Sequence, residues 1–105
     1  MQQREIDISE YWEGENPKVV IKRLSFGAQN EILDRVANVN MKNKQLEVAP
    51  RYGELRTLTL QKCLVSAPFP IDLEYIRNEL DAALGEFLFN QIEEFNTLKK
   101  EVKKV

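Results

Sequence analysis

The chain predicts a mostly α-helical protein: about four helices with a small N-terminal β-hairpin, an α+β fold dominated by helix. Three patterns carry that expectation. Near the start, Ile6 and Ile8 alternate with polar residues, and a β-branched run, Val19, Val20 and Ile21, follows a turn-rich segment. From Phe26 onward apolar residues recur at helical spacing. In the last third, Leu84, Leu88, Gln91, Phe95, Leu98, Val102 and Val105 fall at alternating steps of four and three, a heptad stripe. A length of 105 residues and a hydrophobic content of 43% suit one domain with a modest core. Within residues 1–105 we expect a β-hairpin over 1–24, a helical body over 25–98 and a basic C-terminal helix end over 99–105.

Arg4 to Tyr11 alternates as a short strand with one wet face should, and Trp12 ends it. Glu13-Gly14-Glu15-Asn16-Pro17 supplies the turn, and Lys18 to Leu24 returns as the second strand. Ser25 is placed to cap a helix from about Phe26 to Val39, because its hydroxyl can accept from an unpaired amide of the first turn. Phe26, Ile32, Leu33, Val36 and Val39 are the candidates for its buried side. Met41 to Ala49 is polar apart from Leu46 and Val48, and reads as either a short strand or a mobile loop.

Leu55 to Ala67 is expected to be the most buried helix, with Leu55, Leu58, Leu60, Cys63, Leu64 and Val65 surrounding most of its circumference. Pro68 and Pro70 stop it, since proline lacks an amide donor and disfavours helix in the residue before it. Asp72 then caps a short helix through Leu80, and Asp81 opens the long final one. Acidic residues early in that last helix and Lys99, Lys100, Lys103 and Lys104 at its end follow the order that the helix dipole favours.

The composition bounds the chemistry. No histidine occurs, which removes the commonest general base and every Ser-His or Cys-His nucleophile pair. Cys63 is the only cysteine, so neither an intramolecular disulfide nor a cysteine-based zinc site can form, and packed among Leu60, Leu64 and Val65 it reads as a buried, inert thiol. Gly14, Gly27, Gly53 and Gly85 are too scattered to cradle a phosphate. Asp7, Glu10, Glu13 and Glu15 lack the spacing of a calcium loop and read as a solvated surface. These observations predict no enzymatic activity, no cofactor and no metal.

Fifteen basic and seventeen acidic residues leave a net charge of −2, too little field to gather nucleic acid, and no apolar run is long enough to span a bilayer. With no h-region at its start, the chain is expected to be soluble and cytoplasmic. Binding is therefore the leading class. On the final helix, Leu84, Phe87, Leu88 and Ile92 are assigned to the chain's own core, whereas Phe95, Leu98, Val102 and Val105 are expected to lie beyond it, for self-association or partner capture. Gln91 on the seam would set register. Tyr11 and Trp12 stand as a possible aromatic anchor, against the plainer reading of Trp12 as a core residue.

Three segments together resemble the tail assembly chaperones of long-tailed bacteriophages and related proviruses. They are Val19 to Gly27 leading into the first helix, Leu55 to Leu60 through Ser66-Ala67-Pro68-Phe69-Pro70, and Leu84-Gly85-Glu86-Phe87-Leu88-Phe89 through Asn96. The resemblance implies a helical, non-enzymatic protein in the host cytoplasm that coats the tape measure protein while tail tube subunits assemble around it. Two alternatives from other classes stay open: a small nucleic-acid-binding regulator of a mobile element, using the basic C-terminal end, and a structural subunit of the tail or its connector.

Overall fold

The computed structural model describes residues 2–41 and 52–97. Two strands, β1 (Gln3–Asp7) and β2 (Lys18–Lys22), are followed by helices α1 (Phe26–Met41) and α2 (Tyr52–Cys63), strand β3 (Leu64–Ser66), and helices α3 (Leu73–Asn78) and α4 (Ala82–Thr97). The architecture is helix-dominated α+β, as the hydrophobic patterning predicts. Leu46 and Val48, Leu98, and everything beyond it lie outside the described residues, as does the side chain of Val39.

The N-terminal hairpin forms as expected. β1 and β2 pair antiparallel with Ile6 opposite Val19 and Arg4 opposite Ile21. Period-2 alternation puts Ile6, Ile8, Val19 and Ile21 on one face, where all four are buried, and turns Glu5, Asp7 and Lys18 outward. The connecting loop is ordered by local hydrogen bonds: Ser9 donates its amide to the Asp7 carboxylate at 2.8 Å, Tyr11 N–H to the carbonyl of Ile8 at 2.8 Å, and Ile8 N–H to that of Pro17 at 2.8 Å. That accepted hydrogen bond holds the Asp7 carboxyl below its ordinary pKa. Asn16 takes the left-handed backbone conformation there, at φ 53°. Asparagine tolerates this conformation better than most residues.

One element departs from expectation. Leu64–Ser66 does not continue α2 as helix but leaves it as β3, which pairs antiparallel with β2 and completes a three-stranded sheet in the order β1-β2-β3. Ile21 stands opposite Leu64, and an irregularity in the pairing separates that pair from Val20 opposite Ser66. A three-residue apolar run carries too little periodicity to tell strand from helix, and what decides here is the pairing edge that β2 offers. Val65, expected inside, consequently faces out.

α2 runs through the middle of the helical layer, packing on α1, α3 and α4. Leu60 and Cys63 enter the main core, together with the sheet face, Phe69, Ile76 and one side of α4. Leu58 lies on the other side, between Glu54 and Lys62 at successive steps of four residues, and both of these pair with α1: Lys62 with Glu31 at 2.9 Å and Glu54 with Arg35 at 3.8 Å. The Lys62 ammonium holds the exposed Glu31 carboxyl below its ordinary pKa by donating a hydrogen bond to it.

Three helices, α1, α3 and α4, start on the cap expected of them. Ser25 Oγ accepts from Ala28 N–H at 3.0 Å, Asp72 Oδ1 from Tyr75 N–H at 2.8 Å, and Asp81 Oδ2 from Leu84 N–H at 3.0 Å. In each case a side-chain oxygen satisfies an amide that has no partner within the helix.

Candidate partner-binding surface

α4 places its apolar side inside. Leu84, Leu88, Ile92 and Phe95 follow one another at steps of four, four and three, and all four are buried. The assignment of Leu84, Leu88 and Ile92 to the chain's own core therefore holds, but Phe95 corrects the expectation of a free distal stripe, being only 6% exposed. Its ring lies under the guanidinium of Arg4, 4.6 Å from the ring centroid, and near that of Arg23 at 5.8 Å.

The reason is the next residue. Asn96 ties the end of α4 to the link between β2 and α1: its Oδ1 accepts from Leu24 N–H at 2.8 Å, and its carbonyl accepts from the Arg23 guanidinium at 3.0 Å. The sheet thus extends the body far enough to cover Phe95. Gln91 is half-buried, while Leu98, Val102 and Val105 lie outside the described residues.

Tyr11 and Trp12 separate in role. Trp12 packs against the core, its ring 5.7 Å from that of Phe69, which in turn stacks on Tyr75 at 5.7 Å. Gly14 belongs to this arrangement, because a Cβ there would come within 2.7 Å of the Trp12 indole nitrogen. Tyr11 stacks on Phe87 at 5.0 Å and remains 38% exposed, so of the pair it alone shows a substantial face to solvent.

The largest exposed apolar side chains lie elsewhere. Phe26 is 79% exposed and Leu33 52%, both on α1, and Tyr52 at the start of α2 is 64% exposed. Both α1 residues were expected inside. Ile32 and Leu33 are neighbours about 100° apart around the helix, so only one of them can point at α2. Ile32 does, with Val36 one turn on, and it is buried. Phe26 and Leu33 are seven residues apart and return to within about 20° of one another, forming a second apolar line on the outer side of α1. Their heptad spacing was the signal available in the sequence. A single buried face cannot hold Phe26, Ile32, Leu33, Val36 and Val39 together, because they spread around more of the helix than one neighbour covers.

Metal-ligating residue types are scattered over the described residues. No group of three or more Cys, Asp or Glu residues there is placed to hold a metal ion, and no described helix is long and apolar enough to cross a membrane. Cys63 is fully buried, and burial pushes its thiol up from an ordinary 9.0 to about 11, partly offset by a hydrogen bond with Asn96. No protein-family model matches the chain, and no curated protein or solved structure matches it significantly.

Proposed function

We propose that this chain is a non-enzymatic assembly chaperone of the phage-tail type, which keeps a tape measure protein soluble by covering its apolar helical stretches. The observation that carries this reading is the outward line of Phe26 and Leu33 on a helix whose other side is already packed on α2. A helix with apolar residues on two sides and one neighbour for one of them has surface to offer another helix. Tyr52 and Tyr11 add exposed aromatic area of the kind enriched at binding hot spots. The binding surface thus moves from the α4 stripe to α1, while Leu98, Val102 and Val105 keep their place in the proposal as candidates to be tested by deleting 98–105.

Affinity at a single copy is expected to be weak, since one helix line buries little area. Several copies along one long client would supply avidity, and incoming tail tube subunits would displace them in turn. Self-association on the client is compatible with the same surface.

Co-expression with a tape measure protein from the same genome provides the test. The chaperone reading predicts that the client moves from the pellet to the soluble fraction and that moderate salt leaves this rescue unchanged. It also predicts that finished particles lack the chain by mass spectrometry. Retention in particles would favour a structural subunit. Duplex DNA binding that weakens steeply with salt, without client rescue, would favour the nucleic-acid regulator.

A further inference from the structure

A second surface lies where the start of α1, the end of α2 and β3 converge. It is an open groove of about 530 Å³, within the size range of ligand pockets. Lys22, Arg23 and Lys62 line it, and no carboxylate does, in a chain whose net charge is −2. Its apolar surface comes from Val65, 40% exposed, and the half-buried Leu24, Ala28 and Ile71, with the buried Leu64 beneath them.

The charge around the groove is fixed from several sides. Arg23 is held in place by its hydrogen bond to the Asn96 carbonyl. Lys62 pairs with Glu31, whose side chain is 68% exposed and stands outside the groove lining, so that contact is open to exchange. α1 opens on the same groove through Ser25 and Ala28, and its first turn contains no acidic residue to offset the positive end of the helix dipole.

We propose that this groove binds a short acidic peptide segment, with carboxylates set against Lys22 and Lys62 and an apolar side chain laid on Val65, Ile71 and Leu24. Charge complementarity selects anionic groups, and the apolar floor selects peptide over nucleic acid. A sugar-phosphate backbone would leave Val65, Ile71 and Leu24 uncovered, and no aromatic side chain lines the groove to stack a base. The partner is therefore a protein segment in which Asp or Glu adjoins Leu, Ile or Val. This inference rests on the chaperone reading for the source of that segment, the client. Ser25 of the groove is followed directly by Phe26 of the outer α1 line, so one client could engage both.

Fluorescence anisotropy with the full chain and a labelled short peptide alternating Glu and Leu tests the proposal, against a counterpart with Gln in place of Glu. The Glu peptide is expected to bind at least about tenfold more tightly, a difference near 1.4 kcal/mol. Lys22→Gln with Lys62→Gln should remove that preference. Lys22→Gln alone, which leaves the Lys62–Glu31 pair intact, should remove part of it, and Val65→Ser should weaken both peptides. Circular dichroism melts confirm that the variants are folded.

Equal binding of the two peptides, indifference to the lysine variants, or tighter binding of a DNA duplex than of the Glu peptide would each overturn the proposal. Peptide selectivity without client rescue would sink the chaperone reading and leave the groove standing. Client rescue without selectivity would do the reverse.

Discussion

At the scale of single residues, Cys63 and Gly14 show how packing dictates chemistry. Cys63 has no exposed surface, and its thiol pKa is raised to about 11 because the thiolate would lose its hydration. The folded chain therefore holds this proton more tightly than the unfolded one, and stability should be unaffected below pH 9 and fall as pH rises from 9 towards 11. A thiol reagent at pH 8 should leave Cys63 unmodified in the native protein and modify it promptly in denaturant; rapid native labelling would contradict the burial. Gly14 makes a complementary case. Adding a Cβ 2.7 Å from the Trp12 indole nitrogen must displace that ring from its seat near Phe69. Gly14→Ala should shift the emission of the chain's single tryptophan to the red and lower stability by about 1 kcal/mol.

At the scale of elements, what was legible in the sequence was local, and what was not depended on neighbours. The caps at Ser25, Asp72 and Asp81 could be read because a capping side chain acts within three residues of itself. Asp72→Ala and Asp81→Ala should each cost about 1 kcal/mol, measurable by urea denaturation. β3 could not be read, because Leu64–Ser66 becomes a strand only by pairing with β2, more than 40 positions earlier. Phe95 likewise depends on distant partners: Arg4 of β1, Arg23 after β2, and the Asn96 tie to Leu24, more than 70 positions away. Ending the chain after Asn90 would thus remove Ile92 and Phe95 from the core and unfold the protein, so it cannot probe binding. Asn96→Ala is the finer probe of this junction. Losing its Oδ1 leaves the half-buried Leu24 amide without that acceptor, and a loss of about 1–2 kcal/mol is expected from chemical denaturation.

At the scale of the whole molecule, the sheet, α2, α3 and α4 share one core, while α1 joins the rest mainly through α2. That arrangement decides which apolar residues are spoken for. The C-terminal heptad read as a binding stripe is, as far as Thr97, largely an internal seam, whereas Phe26 and Leu33 of α1, assigned to the interior, form an outward line. Periodicity alone does not say which apolar stripe is covered, since that depends on how many neighbours each helix has. The central claim is that the outer line of α1 covers a client, and the most direct measurement is the soluble fraction of a co-expressed tape measure protein with Phe26→Ser, Leu33→Ser and the pair. The account predicts that the pair abolishes rescue while thermal stability stays within a few degrees of the parent, because neither side chain is buried. Undiminished rescue by a folded double variant would contradict it.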